Sequence, residues 1–274
     1  MAKFDNLIVS KTVQADRFWI LGDVHGMVLQ FRDLLTKIEE FEMNLAADAD
    51  DDVRPVERVS FVCVGDICDR GPASLETLHY CFYFRSLGWH GRERTIPFYN
   101  VLGNHDYKLL RALGGHAVKR THGLDKTMYQ IEGVGAPMMK KYMEFLEQTP
   151  LTLRLVLPDG REAVVVHAGF HPSFQTFGSE RAWGTSHTAE YALFGPVSGI
   201  QPDGMPIRIA WEDEYKGPLQ VFYGHKVVEG VVPKFTDYTC NVDTGCFQTG
   251  VLSAVSFPDL HILQVYGSNA VSYQ

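Results

Sequence analysis

The chain has 274 residues, 45% hydrophobic, 12% aromatic and 21% charged, ordinary values for a globular protein with apolar material for one sizeable core. A net charge of −8 argues against general binding of the nucleic-acid backbone, which favours basic chains, but leaves room for a small anionic substrate in a locally positive pocket. No apolar run is long enough to span a bilayer. Met1–Asp16 lacks the apolar stretch of a secretory signal. Cys63, Cys68, Cys81, Cys240 and Cys246 form no CxxC pair and read as reduced, buried thiols. A cytoplasmic protein without a membrane partner is expected.

Arg17–Gly22 is a short apolar run ending in glycine, and Val28–Phe41 repeats apolar residues at helical spacing. The strand, loop, helix pattern recurs twice. Val59–Val64 precedes a helix opened by Pro72 and running to about Leu87, and Phe98–Leu102 precedes a helix over His105–Leu113 closed by Gly114-Gly115. Such alternation predicts a largely parallel sheet. Further on, Pro137–Gln148 reads as a helix, and Leu151–Leu157 and Ala163–Val166 as a hairpin turning at Pro158-Asp159-Gly160. Leu219–Tyr223, Tyr238–Val242, Val251–Phe257 and His261–Val265 read as short strands of a second, more antiparallel sheet. The fold expected is α/β: two mixed β-sheets packed as a sandwich and flanked by helices. No linker or repeat divides the chain, so one domain over 1–274 is expected, with an acidic surface insert at about 43–58.

Polar segments stand at the C-terminal mouths of these strands, where α/β sheets place their sites. They are Gly22-Asp23-Val24-His25-Gly26, Gly65-Asp66-Ile67-Cys68-Asp69-Arg70-Gly71, Gly103-Asn104-His105-Asp106, His167-Ala168-Gly169 and Gly224-His225-Lys226. Singly, each has a bland reading: a helix cap, a turn or a satisfied core histidine. Two aspartates and an arginine at one strand end are costlier to bury unless paired or bound to a ligand. Together, Asp23, His25, Asp66, Asn104, His167 and His225 form a nitrogen and oxygen donor set without thiolate, suited to two divalent ions. A carboxylate such as Asp66 has two oxygens and can serve both.

In this order the segments resemble the calcineurin-like metallophosphoesterase superfamily, from about Trp19 to Pro258. Arg70–Leu78 and Leu102–Leu110 look like the symmetrical diadenosine tetraphosphatases. Thr121-His122-Gly123-Leu124 and Asn241–Cys246 look more like PrpE-type asymmetrical hydrolases and the phosphatase module of bacterial polynucleotide kinase-phosphatases. The resemblance implies that Asp23, His25 and Asp66 hold a first ion, with Asp66 bridging, and that Asn104, His167 and His225 complete the second. Manganese is the leading metal, with iron, zinc, cobalt and nickel chemically admissible. It further implies His105 as a general acid paired with Asp69, Arg70 and Asn104 on the substrate phosphate, and Asp243 behind the ligands. Asp243 reads equally as a turn residue.

The substrate implied is a dinucleoside polyphosphate, diadenosine tetraphosphate above all. A serine/threonine phosphoprotein and a nucleotide or polynucleotide end are the alternatives, because the site itself reads only phosphate. A catalytically silent scaffold is disfavoured by the intact ligand set. Asp106 stands where many protein phosphatases carry Glu, and Lys226 where close relatives often carry Thr. Arg181, Arg208, Trp211 and Tyr215 form either a substrate wall or a loop packing its own aromatics.

Overall fold

A computed structural model describes residues 7–47, 58–91, 95–171 and 186–267. The acidic run Asp48–Asp52 and Arg181 therefore lie outside the described residues.

Strand β1 (Ser10–Gln14) leads into β2 (Arg17–Leu21) and helix α1 (Val28–Ala47). The helix outruns its expected end because Glu42 belongs to the core: its buried carboxylate accepts from Trp19 Nε1 at 2.7 Å and Arg17 Nη1 at 2.9 Å. β3 (Val59–Cys63) precedes α2, which opens at Ser74 rather than Pro72 and ends at Leu87. A small ribbon, β4 (Trp89–His90) with β5 (Thr95–Ile96), leads to β6 (Phe98–Asn100). Helices α3 (Asn104–Leu113), α4 (Leu124–Glu132) and α5 (Ala136–Glu147) follow, and then the hairpin of β7 (Thr152–Val156) and β8 (Glu162–Val166). After α6 (Ser186–Phe194), a ribbon of β9 (Val197–Ile200) and β10 (Pro206–Arg208) and a short α7 (Trp211–Glu214), the chain returns to β11 (Gln220–Tyr223). β12 (Lys234–Phe235), β13 (Thr239–Asn241), α8 (Cys246–Thr249), β14 (Val251–Phe257) and β15 (Ile262–Tyr266) complete it.

Two large sheets result, ordered β15-β14-β2-β3-β6 and β1-β7-β8-β11-β13-β12. Alternation along the strands divides the core in two. Phe18, Ile20, Val62, Val64, Leu153, Leu155, Ala163, Val165, Phe222 and Val255 point between the sheets and form one apolar cluster. Their neighbours Trp19, Leu21, Phe61, Cys63, Val164 and Val166 point outward to a larger cluster with the helices. This is the expected sandwich, with one correction. The last two strands, β14 and β15, add antiparallel to the first sheet, whereas the second is parallel at its centre, where β8, β11 and β13 run together. Parallel strands buried on both faces read as continuous apolar runs and give no sign of their partners.

Each sheet therefore holds a parallel trio, β2-β3-β6 in one and β8-β11-β13 in the other. The C-terminal ends of the six strands carry every polar motif of the sequence. All five cysteines are free and buried, and no helix among the described residues is long and apolar enough to cross a membrane. Phe222, fully buried between the sheets, gives a direct test of the shared interior. Phe222→Ala should lower the unfolding free energy by about 3–5 kcal/mol in urea titration, and Tyr129→Ala, at 80% exposure, by less than about 0.5 kcal/mol. Near-equality of the two would mean that Phe222 is not packed as described.

Candidate active site

The strand ends meet because the residues next to the donors are glycines. A Cβ on Gly103 would fall on the amide and carboxylate of Asp66, and one on Gly224 would fall on the Asp23 carboxylate. Only a residue without a side chain lets loops from different strands approach so closely. His25, Asp66 and His225 take left-handed backbone with φ of 47°, 48° and 70°, turning their side chains inward at the strand mouths.

Five of the six expected donor residues converge side chain to side chain. His25 Nδ1 faces the Cys68 carbonyl and His167 Nδ1 the Val64 carbonyl, both at 2.9 Å. A carbonyl only accepts, so in each ring Nδ1 carries the proton and Nε2 keeps a lone pair. Both lone pairs face Asp66 Oδ2, each at 3.5 Å. His225 Nδ1 lies 2.8 Å from Asn104 Oδ1 and 3.1 Å from His167 Nε2, and its buried Nε2 has no hydrogen-bond partner among the described residues. The sixth, Asp23, is buried and accepts the His225 amide at 3.2 Å. Lone pairs aimed at a carboxylate repel unless a cation stands between them, so the donors fit divalent metal. Two groups of donor atoms lie within 4.8 Å of one another: His25, Asp66 and His105, and Asp66, His167 and His225. Asp66 is common to both.

Electrostatics agree. Burial pushes His25 down to about 3 and moves His167 and His225 the same way, which favours the neutral, lone-pair-bearing form in all three. Burial, then the nearby Asp243 and Asp66 carboxylates, push Asp23 well above the usual range. Asp66 is lowered overall: burial opposes its charge, and only positive charge brought among the imidazoles around it, His167 foremost, outweighs that cost. Asp243, driven by burial up to about 7, accepts the Gly245 amide at 2.9 Å and so closes its own turn. Asp106 accepts from the Ile67 amide at 3.0 Å and the Gly103 amide at 3.2 Å, tying two motif loops together.

At the rim, His105 Nδ1 lies 2.7 Å from Asp69 Oδ2, and its Nε2 lies 3.4 Å from Arg70 Nη2. Burial alone would lower His105, but the Asp66 and Asp69 carboxylates reverse the balance and raise it. The Arg70 guanidinium lies over the Phe247 ring at 4.4 Å, and the same ring meets His25 edge-on at 5.0 Å. Sequence reasoning missed Phe247, and also Thr127, whose hydroxyl donates to Asp69 Oδ1 at 2.6 Å. Phe247 directly follows the Asn241–Cys246 segment, but nothing in the spacing of either residue marks its contact. Of the proposed wall, Trp211 and Tyr215 are buried; Trp211 Nε1 donates to the Ala168 carbonyl at 3.0 Å and so braces the His167 loop. Arg208 donates to the Phe194 carbonyl, and its charge is among those that lower His225 and His167.

A cation-demanding cluster lies at the paired ends of two parallel trios, with an imidazole–carboxylate dyad and the Arg70 guanidinium beside it, an arrangement suited to metal-dependent hydrolysis of phosphate esters. The chain belongs to the calcineurin-like phosphoesterase family, whose model matches residues 16–252. It is 32% identical over 254 residues to the bis(5'-nucleosyl)-tetraphosphatase PrpE [asymmetrical] of Geobacillus sp. (strain WCH70), covering 91% of this chain and 94% of that protein. Its counterpart in Bacillus mycoides (strain KBAB4) is 31% identical over 92% of this chain and 95% of its own length. Among solved structures, one assigned provisionally as a diadenosine tetraphosphatase superposes with a TM-score of 0.62 at 22% identity, covering 96% of this chain and 99% of that one. A protein serine/threonine phosphatase from Saccharomyces cerevisiae does so with a TM-score of 0.55 at 15% identity, covering 97% and 85%. At those identities the two structures bear on the fold alone.

Asp66→Asn removes the charge on which both histidine pairs converge. Elemental analysis of metal-replete protein should show at least one divalent ion fewer per chain than wild type, with far-UV circular dichroism unchanged. An unchanged metal content would place the ions elsewhere.

Proposed function

We propose that this phosphoesterase is a bis(5'-nucleosyl)-tetraphosphatase that cleaves diadenosine tetraphosphate asymmetrically, to ATP and AMP. The observation that carries the reading is similarity to the PrpE proteins along nearly the whole of both chains, which spans the segments between the motifs as well as the motifs. Asp23, His25 and Asp66 would hold one divalent ion and Asn104, His167 and His225 the other, with Asp66 serving both. Manganese is the first candidate, and iron, zinc, cobalt and nickel suit the same donors. Bound ions would supply Lewis-acid charge and a water acidified for attack at phosphorus.

The chain's own groups do the rest. Arg70, with no carboxylate in salt-bridge range among the described residues, can fork onto two non-bridging oxygens, and the Asn104 side chain would contact the same phosphate. The new bond joins the water oxygen to phosphorus while the phosphorus–oxygen bond to the leaving group breaks. His105, its Nδ1 engaged by Asp69 and its Nε2 released as Arg70 turns onto the phosphate, delivers its Nε2 proton to the departing oxygen. Asp243 would act from behind the ligands by orienting a histidine ligand or a basic group. A phosphoprotein substrate is the second reading, because metal ions, His105 and Arg70 would read only the phosphate.

Manganese-loaded protein offered diadenosine tetraphosphate and a phosphoserine/phosphothreonine peptide in parallel should yield ATP and AMP at far the higher kcat/KM. Two ADP would reverse the cleavage mode, and efficient release from the peptide alone would replace the substrate. His105→Ala should lower kcat by about 10²–10⁴ with metal content kept. Loss of metal instead would make His105 a ligand, the role open to it beside His25 and Asp66.

A further inference from the structure

The carboxylate that holds His105 is itself held from its far side. Asp69 Oδ2 meets His105 Nδ1 at 2.7 Å, and Asp69 Oδ1 accepts the Thr127 hydroxyl at 2.6 Å. Asp69 and Thr127 are both fully buried, so water does not replace either contact. Backbone alone does not aim this carboxylate: Asp69 and Arg70 are consecutive left-handed residues, φ 69° and 66°, a conformation that non-glycine residues adopt sparingly. The Asp69 amide is anchored on Ser74 Oγ at 2.9 Å, which fixes the main chain but not the rotation of the side chain.

Thr127 comes from α4, a helix docked onto this loop at two further points. Gln130 Nε2 donates to the Pro72 carbonyl at 2.8 Å, and Gln130 Oε1 accepts the Leu75 amide at 2.9 Å. Gly123, at the start of α4, packs against the Arg70 backbone so tightly that a Cβ there would overlap it. The Thr127 hydroxyl has a weaker alternative acceptor, the Gly123 carbonyl at 3.2 Å. Its closer approach to a carboxylate oxygen makes the Asp69 bond the charge-assisted one.

We propose that Thr127 is a positioning residue for proton delivery: its hydroxyl fixes the Asp69 carboxylate, which in turn keeps the His105 Nε2 aimed at the leaving-group oxygen. The inference rests on the reading of His105 as the general acid. Removing the hydroxyl leaves a buried carboxylate oxygen without its donor, and both Asp69 and the imidazole gain freedom to swing. The Thr127 bond is one to a charged group, so its loss should slow proton-dependent turnover about ten- to a hundred-fold.

The test uses the metal-loaded enzyme on two esters. 4-Nitrophenyl phosphate has a leaving oxygen that departs without a proton; phenyl phosphate has a far more basic one that needs it. The kcat ratio between them cancels any loss of folded protein. Thr127→Val, nearly isosteric, should depress phenyl phosphate turnover about ten-fold or more relative to 4-nitrophenyl phosphate, in the same sense as His105→Ala, and Thr127→Ser should restore the ratio. If Thr127→Val slows both esters equally while His105→Ala shifts the ratio, Thr127 is a packing residue and the inference falls alone. If His105→Ala does not shift the ratio, the acid role falls, and with it the role of Thr127.

Discussion

The repulsion among Asp66 and the unprotonated nitrogens around it is the constraint to which the rest of the molecule answers. Val64 and Cys68 offer carbonyls to the outer nitrogens of His167 and His25, and in doing so turn the inner lone pairs on a carboxylate. Asp23 and Asp243 add buried charge that their surroundings oppose. Without cations such a cluster would be among the costliest features a core could hold. With them it becomes a preorganised ligand shell, its tautomers already set. The backbone carbonyls at the strand mouths are therefore as much a part of the centre as the side chains.

Bringing six strand ends to one place is a problem of approach distance. The sandwich solves it by giving each sheet a parallel trio and facing the trios the same way. The strands end within one or two residues of Asp23, His167, His225 and Asp243, three residues before Asp66 and four before Asn104. Asp106 illustrates how the loops are then locked: it spends its carboxylate on amides of Ile67 and Gly103 rather than on substrate. Gly103 and Gly224 provide the clearance. Packing thus sets distances that the chemistry needs, and the apolar interior led by Phe18, Ile20, Val165 and Phe222 holds them rigid.

Residues that act at a strand mouth were legible in the sequence because two signals coincide there: a β-branched run ends and a polar, glycine-flanked cluster begins. Asp23, His25, Asp66, Asn104, His167 and His225 were all found that way, and the structure brings them together. What the sequence hid has a common cause. Phe247, Thr127 and Gln130 act from helices or helix starts remote in sequence from their partners, and nothing in their spacing marks the contact. The pairing of β14 with β2, and the parallel centre of the second sheet, were hidden likewise, since a strand buried on both faces carries no record of its neighbour. α1 overran its expected end for a reason visible only in space, the bonds that Trp19 and Arg17 make to Glu42.

Arg70 shows how the proposed site would keep charge available for substrate. A guanidinium at the edge of a nest of carboxylates would ordinarily be captured by one of them, and a captured fork cannot bind phosphate. Here its plane lies over the Phe247 ring at 4.4 Å, an attraction that orients the cation without consuming its N–H groups. Asp69, the nearest carboxylate in sequence, is meanwhile occupied on both oxygens, by His105 and by Thr127. The aromatic face and the hydroxyl are complementary devices: one holds the arginine in place and the other keeps the aspartate from taking it. The hydrogen-bond partner of Arg70 in the structure is His105 Nε2 at 3.4 Å, and the N–H groups left over are those that the proposed phosphate oxygens would take.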